Sequence, residues 1–350
     1  MAADPLAETP DIAVLDAFGL AQTGIAPARS GLINRTWYVR RTTGQPCVLQ
    51  RVNAIFPAEI HFDIAAVTEH LAQKGLLTPR LIATRTGRLW LEHEGAVWRV
   101  LTLIEGVTID AVASSVQARE AGRVLAEFHR GVADLEHTFK NARLGVHDTP
   151  QHLAALRAAL VEHAAHGEIE RVRPLAERVL GLATQLPALP TLPDRIVHGD
   201  PKISNIVFAP DGRALCLIDL DTLARMPVVL ELGDALRSWC NPASEDDARA
   251  GFSLPHAEAA IEGYAQGARG LLDPVEWQAI PAGAATIALE LAARFCTDSL
   301  RESYFGWDRT RFASASAHNQ ARTRGQLQVA EGVLVELPAL SRLTAAAFRR

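Results

Sequence analysis

The chain has 350 residues, a formal net charge of -5, 48% hydrophobic and 21% charged residues. That composition suits a globular protein with room for two lobes, and its lack of a basic segment argues against a nucleic-acid partner. The four cysteines, Cys47, Cys216, Cys240 and Cys296, have no metal-ligand spacing and read as buried thiols in a reducing compartment. The N-terminal stretch has early acids and no basic n-region, so it is not a secretory signal. The most apolar run, 282–296, is interrupted by Glu290 and Arg294 and is too short to span a bilayer, so a cytoplasmic protein with no membrane partner is expected.

In chain order, "LINRTWYVRR" (32–41) and "PCVLQRVN" (46–53) read as strands joined by a "TTGQ" turn. A helix over 58–74 places Ile60, Ile64, Val67 and Leu71 on one face. "RLIAT", "RLWLE" and "WRVLTLIEG" complete a five-stranded antiparallel sheet. From Gly106 the periodicity is helical: 116–135 is one helix, and 151–186 is a second stretch stopped by Pro187, Pro190 and Pro193. Residues 196–222 read as strand, loop and strand around a "PDGR" turn, and the remainder beyond 228 is mostly helical. An α+β architecture follows: a small sheet lobe, 1–105, and a larger helical lobe, 106–350.

Two short polar pieces carry the chemistry. "HGDPKISN" (198–205) supplies a carboxylate at Asp200, a cation at Lys202 and an amide at Asn205; "LIDLD" supplies carboxylates at Asp219 and Asp221. Phosphoryl transfer from ATP needs a group that accepts the acceptor hydroxyl's proton, together with hard oxygen ligands for Mg²⁺. The "PDGR" turn would fold the second strand back beside the first, so the two pieces read as one site.

"HGDPKISN…LIDLD" resembles the catalytic and metal-binding loops of the aminoglycoside phosphotransferase and choline kinase-like family. The resemblance implies a protein kinase-like bilobal fold, with ATP and Mg²⁺ as cofactors and a small-molecule hydroxyl as acceptor. His198 would orient the loop, Asp200 act as base, Lys202 touch the γ-phosphate, and Asn205 and Asp219 bind metal. "GLINRTWYV", "VLQRVN", "WRVLTLIEG", "GDALR" and "ARFCTDSL…YF…HNQARTRGQL" are similar to the N-acetylhexosamine 1-kinase subgroup, which implies a sugar or amino sugar as acceptor. An aminoglycoside or amino-alcohol acceptor and a nucleotide-binding pseudokinase are the alternatives.

The same likeness points to Ser30, Gly31 and Asn34 in "SGLIN" as nucleotide neighbours, and to the main chain at Thr102, Leu103 and Ile104 as the adenine support. The third strand departs from the kinase pattern, with Gln50 where a lysine usually holds the phosphates. Alternation puts Val48, Gln50 and Val52 on one face and Cys47, Leu49 and Arg51 on the other. Asp63 is the better acidic partner on the helix, while Glu69 reads as solvated. Asp221 either supports the acceptor or caps a turn. Arg237, Arg294, Asp298 and Tyr304 are acceptor candidates, and Arg294, Asp298 and Arg301 share a helical face suited to an ion pair. His129 reads as a core histidine, and the acids of "SEDDAR" as a solvated helix start.

Overall fold

The computed structural model describes residues 9–28, 33–141 and 146–350. Contacts divide the chain after Glu105 into two units, and a short segment from Asp134 to Asn141 joins the first of them.

In the first unit, α1 (Ile12–Phe18) is followed by β1 (Ala26–Pro27), β2 (Arg35–Arg40), β3 (Pro46–Val52), α2 (Ile60–Gln73), β4 (Leu81–Ile82), β5 (Leu91–His93) and β6 (Ala96–Thr102). The antiparallel sheet runs in the order β1-β2-β3-β6-β4, with β5 pairing beside β6. Strand alternation makes one face apolar: Trp37, Val39, Cys47, Leu49, Trp98 and Val100 pack with Val14, Leu15 and Phe18 of α1. Each such burial contributes roughly 1.5–3 kcal/mol. The sheet has six strands rather than the five expected, because the two-residue β1 pairs with Tyr38 and Trp37.

Helix α1 was not foreseen, although Asp11 accepts from the Ala13 N–H as its cap and Gly19 ends it in the left-handed region. On α2, Ile60, Ile64, Val67 and Leu71 are buried as the spacing required. Asp63 is buried too, but its carboxylate takes the main-chain N–H groups of Lys140 and Asn141 and meets His137 Nε2 at 2.8 Å. It therefore ties the 134–141 segment down and is not the partner of a strand cation. Glu69 is exposed to solvent as expected, where it pairs with Arg80.

The second unit contains α3 (Ser115–Val132), α4 (Thr149–Glu162), α5 (Ile169–Ala183), β7 (Asp194–Val197), β8 (Ile206–Phe208), β9 (Ala214–Leu217) and β10 (Ala224–Pro227). Helices α6 (Val228–Trp239), α7 (Leu254–Gly267), α8 (Pro274–Arg301) and α9 (Ala315–Arg349) follow. The stretch 151–186 is two helices, because turns closed by the His166 and Ile169 N–H groups interrupt the helical bonding between them. Uniform Ala and Leu content conceals that break.

Helices α3 and α7 touch backbone to backbone. A Cβ on Gly122 would lie 2.0 Å from Ala260 O, and one on Gly263 2.1 Å from Arg119 O. Helix α8 is long and apolar enough to cross a membrane by length and composition, but 83% of that window is buried inside the protein. All four cysteines are buried thiols. Burial pushes Cys216 and Cys296 up to about 12, and raises Cys240 and Cys47 as well.

Candidate active site

Strand β7 delivers the chain into the loop 198–205, and β10 pairs with β7 antiparallel, Ala224 opposite Val197. The hairpin β8–β9 turns through Pro210–Gly212, with the Gly212 N–H on Ala209 O. It returns so that the Ile218 N–H donates to Asn205 O at 2.8 Å. The end of β9, and with it Asp219, is thereby fixed beside the loop.

Separate ties hold His198, Gly199, Pro201 and Ile203 of this loop. His198 is fully buried; its Nε2 donates to Ile218 O at 2.9 Å and its Nδ1 accepts from the Asp200 N–H at 3.3 Å. Burial pushes its pKa down, so the neutral ring with the proton on Nε2 fits both bonds. Gly199 has φ +83°, and a Cβ there would lie 2.1 Å from Thr222 O. Thr222 Oγ1 donates to His198 O at 2.8 Å. Behind the loop, the Gly199 N–H donates to Glu231 Oε1 at 2.7 Å, Trp239 Nε1 to Pro201 O at 2.8 Å, and the Ile203 N–H to Ser238 Oγ at 3.0 Å. All three anchors lie on α6.

The polar groups converge on Asp200. Lys202 Nζ stands 2.5 Å from its Oδ2, and Asn205 Nδ2 donates to Asp200 O at 2.9 Å and to Oδ2 at 3.1 Å. Loss of solvent raises the Asp200 pKa, but Lys202, His198 and Arg237 outweigh it and hold the carboxyl below its usual range. Desolvation lowers Lys202, yet Asp200 and Asp219 together raise it further, so Asp219 acts within the same charge cluster. Asp219 has φ 65° and ψ 61°, a left-handed conformation that costs a non-glycine residue about 1–3 kcal/mol. Asp221 is 2% exposed in the turn Leu220–Thr222. The oxygen donors of Asn205 and Asp219 are of the hard type a divalent cation prefers, and Lys202 offsets the repulsion between the Asp200 and Asp219 carboxylates.

Arg237 is buried on α6, bonded to Asp234 at 2.8 Å through Nε and 3.9 Å from Glu245. Its charge and that of Asp200 act on each other. Asp298 accepts the N–H groups of Ser303, Tyr304 and Phe305 and the Asn319 amide, at 2.9–3.0 Å. It builds the turn after α8. The expected ion pair along that helix does not form: Arg294 lies over the rings of Tyr304 and Phe305, and Arg301 bonds Glu162. Tyr304 is 62% exposed. The "SEDDAR" acids start no helix; Asp246 meets His318 and Arg311, each at 2.9 Å.

In the first unit, Gln50 accepts from Arg99 Nε at 2.8 Å and donates to Thr36 Oγ1 at 3.1 Å. Arg99 is 1% exposed and pairs across the strands with Gln50. Arg51 points to the other face, over Trp98. Asn34 accepts from the Asn53 N–H at 2.9 Å. Thr102 Oγ1 accepts from the Arg80 N–H, and the half-buried Leu103 and Ile104 continue from β6 as irregular chain. Ser30 and Gly31 lie outside the described residues. His129 is a buried core residue, bonded to Glu231 and Tyr264.

Sequence reasoning missed Glu231, Trp239 and Arg99. For Glu231 a signal existed, a lone carboxylate on the apolar face of "VVLELGDAL". Arg99 has no comparable mark in "VWRVLT", since register alone brings it to Gln50.

Residues 24–271 match the phosphotransferase enzyme family. The homoserine kinase of Methylobacterium nodulans is 29% identical over 75% of each chain. Two solved structures superpose with TM-score 0.62. One is an amicoumacin kinase bound to AMP-PNP and Ca²⁺ (12% identical, covering 90% of this chain and 91% of that one). The other is an aminoglycoside phosphotransferase from Alicyclobacillus acidocaldarius (15% identical, covering 97% and 98%). Both likenesses show the fold, that of the kinase-like small-molecule phosphotransferases.

Proposed function

Because the chain belongs to the phosphotransferase enzyme family, we propose that it transfers the γ-phosphoryl group of ATP to a hydroxyl of a small-molecule acceptor, with Asp200 as base. The observation that supports this most is the clustering of Lys202 at 2.5 Å and Asn205 at 3.1 Å around one carboxylate oxygen. A carboxylate kept ionised can take the acceptor's proton as the new P–O bond forms and ADP departs with the bridging oxygen. Lys202, paired with Asp200, is the cation we assign to the transferred group. Asn205 and Asp219 would hold the divalent metal, which neutralises phosphate charge when bound. In the first unit Gln50 carries no charge, and its carbonyl accepts from Arg99, which is itself buried, so phosphate charge falls to Lys202 and the bound metal. Thr102, Leu103 and Ile104 offer main-chain groups to adenine, with Asn34 as a further nucleotide neighbour.

For the acceptor we favour a hydroxy amino acid or amino alcohol over a sugar. The buried Arg237 with Asp234, close enough to Asp200 for their charges to interact, suits a molecule bearing a carboxylate and an ammonium. The homoserine kinase relative agrees with that chemistry. The N-acetylhexosamine reading rests on the softer motifs alone. An ADP-release assay over homoserine, amino alcohols, N-acetylhexosamines and hexoses decides it. Turnover on the charged acceptors, abolished by Asp200→Asn with ATP binding retained, is expected. Turnover on sugars alone would reverse the acceptor assignment, and ATP binding without turnover on anything would favour a pseudokinase.

A further inference from the structure

We infer that Tyr264, His129 and Glu231 form a hydrogen-bonded relay that fixes the main chain immediately ahead of Asp200, making all three positioning residues for transfer. The inference rests on Asp200 being the base. The three side chains come from α7, α3 and α6 and are 2%, 3% and 1% exposed. Tyr264 OH lies 2.8 Å from His129 Nδ1, His129 Nε2 lies 2.5 Å from Glu231 Oε2, and Glu231 Oε1 receives the Gly199 N–H at 2.7 Å.

Burying a phenol, an imidazole and a carboxylate in a helical core costs free energy that apolar side chains of similar volume would not. What the polar set adds is direction. Burial and the Glu231 charge push the Tyr264 phenol well above its ordinary range, so it keeps its proton and donates. His129 Nδ1 then accepts, Nε2 carries the ring proton, and Glu231 receives it. The second carboxylate oxygen is left for the one N–H that precedes Asp200. Only this polarity satisfies every member. Gly199 is already confined on its other side by Thr222 O, so the peptide is gripped from both faces.

The test measures kcat, both KM values and folded fraction for Tyr264→Phe, Glu231→Gln, His129→Leu and His129→Gln, with Asp200→Asn as reference. The inference expects Tyr264→Phe and Glu231→Gln to lower kcat about tenfold per folded molecule, a fraction of the ~100-fold that a 1 Å misplacement can cost. Both KM values should stay within about twofold. His129→Gln should recover activity that His129→Leu loses, since a glutamine can accept from the phenol and donate to the carboxylate. Unchanged kcat per folded molecule in Tyr264→Phe and Glu231→Gln, with Asp200→Asn silent, overturns the relay and leaves the base assignment standing. Turnover by Asp200→Asn removes both.

Discussion

Replacing Gly199 by alanine tests the loop geometry with the smallest change available. The added Cβ would sit 2.1 Å from Thr222 O, a backbone atom that no rotamer change can clear. Relief therefore requires the peptide to move by about 1 Å, and a misplacement of that size costs about 100-fold in rate. The φ of +83° adds roughly 1–2 kcal/mol of backbone strain for any residue with a Cβ. The same shift stretches the 2.7 Å bond to Glu231 and displaces Asp200 from Lys202. Steady-state ADP release should show kcat reduced about 100-fold, while thermal unfolding shows a cooperative transition at a lower temperature. Adding Thr222→Ala should give no rescue, because the obstruction is the carbonyl and the hydroxyl bond to His198 O would also go. A Gly199→Ala protein with kcat within threefold of wild type would refute the claim that this peptide's position controls the base.

Arg99→Leu removes the donor to the Gln50 carbonyl and should destabilise the fold by about 1–3 kcal/mol, read by urea unfolding, with the KM for ATP unchanged; a KM raised about tenfold with stability intact would assign Arg99 to the nucleotide instead. Trp239→Phe removes the donor to Pro201 O and should destabilise the fold by about 1–3 kcal/mol, read by urea unfolding. Acid stability follows from His198 and His318, both held below their ordinary 6.5 chiefly by burial. The unfolded chain binds more protons than the folded one below that pH, so stability present above about 6.5 is lost as pH falls toward the folded values. His198→Gln should flatten the decline in urea midpoint between pH 7 and 5; an unchanged slope would exclude His198 as a source.

The readable features were those whose signal is local. Periodicity placed the apolar face of α2 through Ile60, Ile64, Val67 and Leu71, and alternation put Cys47 and Leu49 opposite Gln50. The grouping of Asp200, Lys202 and Asn205 was legible because six residues of chain hold all three. What escaped depends on tertiary neighbours. Asp298 looked like a helix-face ion-pair member, but the turn behind α8 offers it three N–H groups that outcompete Arg294 and Arg301. Asp63 looked like the helix acid that reaches toward the sheet until the 134–141 segment returned to it. Register alone, invisible in either strand, set Arg99 beside Gln50.

The buried thiols give the chain its own reporter of opening. With solvent excluded and ionisation suppressed, none of them should react with a maleimide while the fold is closed. Cys47 belongs to the first unit, and Cys216, Cys240 and Cys296 to the second. The order in which an alkylating label appears along the chain during mild denaturation would therefore reveal which half loosens first, without any engineered probe.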